Sequence, residues 1–503
     1  MKLLLKITTL ILLLSEYVKG GHLELSLTKR GEKEGTIDVD LNNRESFVGI
    51  DAEIGYPPQS VELLLDTGSS TSWVMDSKNP YCVDEEVWGY LVNGSQAQLE
   101  YHFPNGLLDI KAPMGSQSKA CFKHGTLDLA YSGGFEESKD PFEIKYVDNS
   151  TVKGFWTKGS FKVGDNYNLT DFDFGIGHNA SSAMGILGLG IPEFEVIDGD
   201  VHYVRNNFPM KLNEDGLIGK QLFSLWLNER ETKGGKILFG AIDHAKYKAP
   251  LYTMKMINTI KKGHPIQRFE ILLTDLILED EQGDKASIFG ESETYKGKYT
   301  GALVDTGSTM NYLPQELFDI FISHIEHLRI KSSDQYAVKC SLQDEDDQVT
   351  FKFASKLFNI PLRNFLGPLP SSYKTLDIDE EYCLLKFMPQ TSNYTVLGDS
   401  FIRSVYTVFD LDTMQISMAP AIYTDKSEIQ EITYENPLIS EMDGEIPKEL
   451  QLHFYNPVKD FVQNTKNGYY KSLSKSSILK VNKNILFYIA VSMFFNLIFM
   501  IFL

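Results

Sequence analysis

Two carboxylates in matched settings dominate the chemistry this chain could perform. Asp66-Thr67-Gly68-Ser69 recurs as Asp305-Thr306-Gly307-Ser308. The first copy follows Val61, Leu63, Leu64 and Leu65, and the second follows Ala302, Leu303 and Val304. An apolar run that ends in a carboxylate, with glycine two residues on, reads as a buried strand entering a tight turn. A single copy is an ordinary strand end, where Asp caps the backbone and Gly supplies a special dihedral. Two copies with matched flanks are a poor fit to chance at ordinary residue usage. Two carboxylates held close together cannot both ionise readily, so the pair shares one proton. The ionised partner can take a proton from water while the protonated one polarises a carbonyl, which is general acid–base hydrolysis without a covalent intermediate. Each Gly lets backbone approach the carboxylates, and the neighbouring hydroxyls can hold them in one plane. An internal duplication, each half donating one Asp, is the simplest way to build such a pair.

Further positions repeat with the motif. Trp73 lies seven residues after Asp66, and the segments Ile186-Leu187-Gly188 and Val396-Leu397-Gly398 follow the two copies in turn. On these residues the chain resembles the pepsin family of aspartic proteases over roughly residues 45–422. The resemblance implies an all-β, bilobal pepsin-like fold with the active-site cleft between two related β lobes. It makes Asp66 and Asp305 the catalytic dyad, supported by Gly68 and Gly307. It implies that Thr67 and Thr306 brace the two loops, that Ser69 and Ser308 bond the outer carboxylate oxygens, and that Trp73 bonds the flap tyrosine. No metal and no organic cofactor is implied.

The elements that must position these groups follow from the rest of the chain. Its 503 residues are too many for one core and suit two lobes with appendages. The net charge of −20, from 48 basic and 68 acidic side chains, argues against a nucleic-acid partner. Residues 1–20 read as a secretory signal, with Lys2 before an apolar run from Leu3 to Leu14 and small residues at Gly20 and Gly21. For such a secreted chain the resemblance implies a propeptide at 21–30, ending at the dibasic pair Lys29-Arg30. That segment is short for the family, so it does not imply self-inhibition of the cleft. Phe47 to Ile50 reads as a strand, and Ile54-Gly55-Tyr56-Pro57-Pro58-Gln59 as the turn into the first Asp strand. Phe142 to Tyr146 alternates like a strand, residues 147–150 make a turn, and Gly154-Phe155-Trp156 starts a return limb. The resemblance makes this hairpin the flap, with Tyr146 as its tyrosine, although Val147 and Asn149 stand where the family usually has glycine. Phe223 to Leu227 and Gly234 to Gly240 read as strands at the crossing between lobes, which sets lobes of 31–222 and 223–422. Helical pattern is confined to residues 314–327, and the rest is β.

Four cysteines in a secreted chain imply two disulfides, with three pairings open, and neither a CxxC nor clustered His points to zinc. The duplication and the family resemblance together favour Cys82–Cys121 and Cys340–Cys383. The segment between Cys82 and Cys121 is far longer than pepsin's small loop, and such a loop resembles yapsins, the fungal cell-surface branch. It opens on Asp84-Glu85-Glu86, an acidic rim that would attract basic substrates, as yapsins favour. Sequons stand at Asn93, Asn168, Asn179 and Asn393, with another at Asn149 on the flap tip where low occupancy is expected.

Past residue 422 the composition turns acidic and polar, which reads as a stalk over 423–484. Residues 485–503 carry no charge and are long enough to span a bilayer. A hydrophobic end behind a polar spacer and small residues matches a GPI-anchor signal, with Ser474 as the attachment site and a retained membrane helix as the alternative. The expectation is therefore a monomeric, GPI-anchored aspartic endopeptidase outside the plasma membrane or in the cell wall, cutting peptide and protein substrates with basic residues. A freely secreted pepsin-type protease and a non-catalytic binding protein of the same fold are the alternatives.

Overall fold

A computed structural model describes residues 37–442, with breaks at 41, 44–46, 80–81, 83–120, 122–123, 147–149, 165–167, 193, 198–199, 204, 230–233, 260–265, 331–334 and 370–380. The signal segment 1–20, Lys29 and Arg30, the acidic stretch 84–86, Asn93, Asn149, Ser474 and the hydrophobic segment 485–503 lie outside the described residues.

Each Asp motif ends a strand buried in an eight-stranded sheet. In the first half the order is Asn42–Asn43, Val48–Ile54, Gln59–Asp66, Gly185–Gly188, Trp73–Met75, Asn168–Ala180, Thr151–Val163 and Glu136–Lys145. Val48, Ile50, Ala52 and Ile54 are buried while Asp51 between them is exposed, the period-two pattern of a strand with one covered face. In the second half the order is Lys356–Pro361, Gln348–Phe353, Glu270–Glu279, Thr300–Val304, Thr395–Leu397, Asn311–Pro314 and Phe387–Gln390, with Lys285–Ser287 attached to Glu270–Glu279. Thr300–Val304 is buried at every position, as its unbroken apolar run requires of a central strand.

The two halves repeat one local topology. Gln59–Asp66 runs parallel to Gly185–Gly188, which pairs antiparallel with Trp73–Met75 at Trp73 and Ile186. Thr300–Val304 runs parallel to Thr395–Leu397, which pairs antiparallel with Asn311–Pro314 at Tyr312 and Val396. Trp73 and Tyr312 each lie seven residues after their Asp, so the duplication read from the motifs extends to backbone pairing.

A seven-stranded sheet draws on both halves, in the order Ile37–Asp40, Gly235–Phe239, Leu222–Leu227, Val405–Asp410, Gln415–Pro420, Tyr252–Lys255 and Glu441–Met442. Phe223 stacks on Phe409 at 4.7 Å, and Phe269 packs on the same ring at 4.7 Å. The core is thus continuous beneath the two motif sheets.

Part of the segment expected to be a stalk from residue 423 is paired into the fold. Ile429–Glu431 pairs antiparallel with Ala241–Asp243, Ile432 is fully buried, and Glu441–Met442 adds a parallel edge strand beside Tyr252–Lys255. Asp243 fastens this strap, accepting hydrogen bonds from Ser427 Oγ at 2.7 Å and Glu428 N at 2.6 Å. One buried isoleucine and two short edge pairings anchor an otherwise polar segment, so composition alone reads it as spacer.

The helix expected in 314–327 forms at Gln315–Ser323 and buries Leu317, Phe318, Phe321 and Ile322. In its first turn Glu316 accepts from Ser292 Oγ at 2.5 Å and Thr294 N at 3.0 Å. These bonds, the Ser292 hydroxyl first, lower its carboxyl from 4.5 to about 2. A depressed acid pKa contributes stability that is present above 4.5 and is lost as pH falls through about 2. Glu316→Gln is therefore expected to lower the melting temperature by about 1–2 °C at pH 6, with the deficit shrinking towards pH 2. A deficit that is constant from pH 6 to pH 2 would refute this account.

Candidate active site

The two Asp motifs meet where the halves face each other. Asp66 is 6 % exposed, and each motif glycine lies against the carboxyl of the opposite motif. The approach is so close that a Cβ on Gly68 would stand 2.6 Å from Asp305 Oδ1, and one on Gly307 would stand 2.6 Å from Asp66 Oδ1. Glycine is the one residue that fits at either position.

Thr67 and Thr306 are both buried and brace the loops reciprocally. Thr67 Oγ1 donates to Val304 O at 2.8 Å and accepts from Thr306 N at 3.0 Å. Thr306 Oγ1 donates to Leu65 O at 2.6 Å and accepts from Thr67 N at 3.0 Å. Each threonine thereby grips the strand that carries the opposite Asp.

The serines break the symmetry. Ser69 Oγ donates to Asp66 Oδ2, and Gly68 N donates to Asp66 Oδ1 at 2.8 Å. Ser308 does not bond the Asp305 carboxylate as expected. Its hydroxyl carries a single proton and gives it to Met310 O, two residues on, at 2.8 Å. Asp305 keeps a bond from Gly307 N at 2.9 Å. The electrostatics follow from this difference. Burial raises both carboxyls above 3.8, but on Asp66 the Ser69 and Gly68 donors pull back. Asp305 is raised further, by burial first and then by the charge of Asp66. The donors on Asp66, with no hydroxyl donor from Ser308 on Asp305, make the two carboxyls unequal acids.

Tyr146 stands at the end of a hairpin and meets Trp73. Glu136–Lys145 pairs antiparallel with Thr151–Val163, Tyr146 N donates to Ser150 O at 2.8 Å, and Trp73 Nε1 donates to Tyr146 OH at 2.8 Å. The hairpin root is stiffened by rings. Phe142 packs edge-on against Trp156 at 5.2 Å, and the Arg205 guanidinium sits 3.8 Å over that indole. The disulfide Cys82–Cys121 packs with Trp73, Phe142 and Val152, so the long loop that it closes is rooted beside the flap. Cys340–Cys383 forms the second disulfide. Asn168, Asn179 and Asn393 are exposed.

Two supporting residues escaped sequence reasoning. Ser72 Oγ accepts from Gly188 N at 3.2 Å, and Asn311 Oδ1 accepts from Gly398 N at 3.0 Å. Each lies six residues after its Asp and fixes the glycine of the adjacent apolar-apolar-Gly segment. The equal offset was the available signal, and the different residue types concealed it.

Comparison with known proteins agrees with this geometry. The family model described as eukaryotic aspartyl protease matches residues 49–421. Aspartic proteinase MKC7 of Saccharomyces cerevisiae is 31 % identical over 424 residues, covering 78 % of this chain and 69 % of the relative. Aspartic proteinase yapsin-3 of the same yeast is 31 % identical, covering 82 % of this chain and 73 % of the relative. Secreted aspartic protease 9 of Candida albicans is 28 % identical, covering 80 % and 82 %. With two mutually braced Asp-Thr-Gly loops in a duplicated β fold, the chain belongs to the eukaryotic aspartyl proteases of the pepsin family.

Proposed function

We propose that this aspartic endopeptidase uses Asp66 and Asp305 as its dyad, closes Tyr146 over bound peptide, and works at the cell surface on substrates carrying Lys or Arg. The observation that carries the dyad assignment is the approach of the two motif loops, with Gly68 against the Asp305 carboxyl, Gly307 against that of Asp66, and the threonines bracing both. In this reading a water held between them loses a proton to Asp66 as it attacks the scissile carbonyl, while Asp305 donates to the carbonyl oxygen. The tetrahedral gem-diol then collapses with cleavage of the C–N bond, one of its hydroxyls returning a proton to Asp305 while the proton held by Asp66 passes to the leaving amine, which restores the pair. Thr67 and Thr306 keep the carboxyls in register, and Trp73 orients Tyr146.

The surface reading is supported by likeness to proteins named as a yapsin and as a secreted protease. It takes residues 1–20 as signal, cleavage after Lys29-Arg30, glycans at Asn93, Asn168, Asn179 and Asn393, and a lipid anchor at Ser474 behind a spacer that starts beyond Met442. The basic preference rests on Asp84, Glu85 and Glu86 at the start of the loop rooted by Cys82–Cys121 beside the flap. The name of the Candida relative favours free secretion as the second reading. Release of the enzyme from intact cells by a phosphatidylinositol-specific phospholipase speaks for the anchor, and its presence in medium without treatment speaks for secretion.

Specificity is tested with the full-length protein on a mixed peptide library from pH 3 to 7, with Asp305→Asn alongside. Cleavage next to Lys or Arg that is lost in the variant is expected. Cleavage that depends on Asp305 but ignores basic residues would leave the mechanism standing and remove the specificity.

A further inference from the structure

One buried carboxylate at the end of the strand that carries Trp73 has no part in the mechanism above. Asp76 directly follows the strand Trp73–Met75 and is 1 % exposed. Its backbone N donates to Gly177 O at 3.1 Å, and its Oδ1 accepts from Lys78 N at 2.9 Å. Its Oδ2 faces Nδ1 of His178 in an ion pair, and no other described donor reaches that oxygen. His178 lies on the strand Asn168–Ala180, which pairs on one side with Trp73–Met75 and on the other with the return strand of the flap, Thr151–Val163. Its ring also packs on Phe155 of that return strand at 4.8 Å. One imidazole thus touches the end of the Trp73 strand and the flap root.

We propose that Asp76 and His178 are a positioning pair that fastens the flap root to the strand carrying Trp73 and so presents Tyr146 to the substrate. This rests on reading Tyr146 as the flap residue. The packing around the pair leaves little slack to absorb a shift. At Gly177 an added Cβ would lie 2.8 Å from Val152 and 2.9 Å from the Trp73 ring. A buried carboxylate oxygen with a single partner is left stranded when that partner is removed, and the site must then admit water or rearrange. Either response moves the chain at Asp76, three residues from the indole that holds Tyr146 OH. A displacement of about 1 Å at a group that positions substrate is enough for a large kinetic loss.

The test uses the full-length protein and a peptide that the wild type cleaves. His178→Gln is expected to lower kcat/KM about tenfold, chiefly through a higher KM. Asp76→Asn combined with His178→Gln is expected to return to within about threefold of wild type, because an amide leaves no stranded charge. If His178→Gln keeps kcat and KM within about twofold while only the melting temperature falls, the pair is structural and the proposal is overturned. A double variant no better than His178→Gln overturns it as well. Tyr146→Phe, run alongside, separates the two readings. If it leaves KM unchanged, the flap assignment fails and the pair's role with it. If it raises KM while His178→Gln does not, only the role of the pair falls.

Discussion

Asp66→Asn and Asp305→Asn are each expected to lower kcat by about four orders of magnitude, while the protein stays folded and gains heat stability as pH rises. The loss of rate follows from the division of labour, since an amide can neither accept the proton of water nor return one. The gain in stability follows from the same burial that makes the site reactive. Below 3.8 the carboxyls are protonated in both folded and unfolded chain, and the pair contributes no pH dependence. As pH rises past that value the unfolded chain releases protons that the raised native groups still hold, so native stability falls up to the raised native pKa. Removing one carboxyl removes that fall. Asp305→Asn is expected to give the larger gain, because Asp305 is raised further by burial and by the charge of Asp66. Wild-type activity requires the singly protonated pair, so it is expected to decline as pH climbs through the second macroscopic step of the dyad. Melting temperatures and peptide cleavage at matched pH from 3 to 7 check both statements. Variants less stable than wild type at every pH would show that burial and like charge do not govern this pair.

How much of this was legible in the sequence depended on whether the signal was local and repeated. The dyad, the bracing threonines, Trp73 at an offset of seven and the apolar-apolar-Gly segments were readable because each is a short pattern that occurs twice or stands at a fixed distance from one. The same logic misplaced Ser308. After the shared tetrapeptide the halves diverge, Ser70-Thr71 in one and Thr309-Met310 in the other, and the turn in the second half offers Ser308 a backbone acceptor at Met310. Motif identity therefore did not extend to hydrogen-bond identity, and the asymmetry of the dyad lay in that difference. The strap at 423–442 was hidden for another reason. Its partners, Ala241–Asp243 and Tyr252–Lys255, lie far away in sequence, and edge pairings of two or three residues leave no periodicity to read. The helix Phe208–Glu214 was missed because seven residues are too few for a convincing period. Its N-cap Asn207 is nonetheless useful to the site, since its amide donates to Leu189 O at 3.1 Å and Gly190 O at 2.6 Å just beyond the first apolar-apolar-Gly segment.

Thr67→Val is expected to cost about 3–4 kcal/mol and to remove nearly all activity, although the threonine touches no substrate. Valine keeps the shape and β-branching of threonine, so packing around the site changes little. The loss is the hydroxyl, which donates to Val304 O and accepts from Thr306 N. Both backbone groups are left unpaired in a site shut off from water, at about 1–3 kcal/mol each. A melting temperature lower by about 5–8 °C is the expected readout. Thr306→Val removes the equivalent bonds to Leu65 O and Thr67 N and is expected to behave alike. The two bonds of the Thr67 hydroxyl share no atom with the two of the Thr306 hydroxyl, so independent braces would give a double variant equal to the sum of the singles. The loops are short and mutually anchored, however, and once one brace is gone the other is held less firmly. The double variant is therefore expected to fall short of additivity by about 1 kcal/mol. Activity is the more sensitive measure, because a drift of about 1 Å between the carboxyls breaks the shared proton and costs about a hundredfold or more. Thr67→Ser keeps the hydroxyl and is expected to hold kcat within about threefold of wild type. A Thr67→Val protein that cleaves peptide at the wild-type rate would show that the carboxyls are held in register by the sheets alone, and that the cross-brace is a consequence of their approach and not its cause.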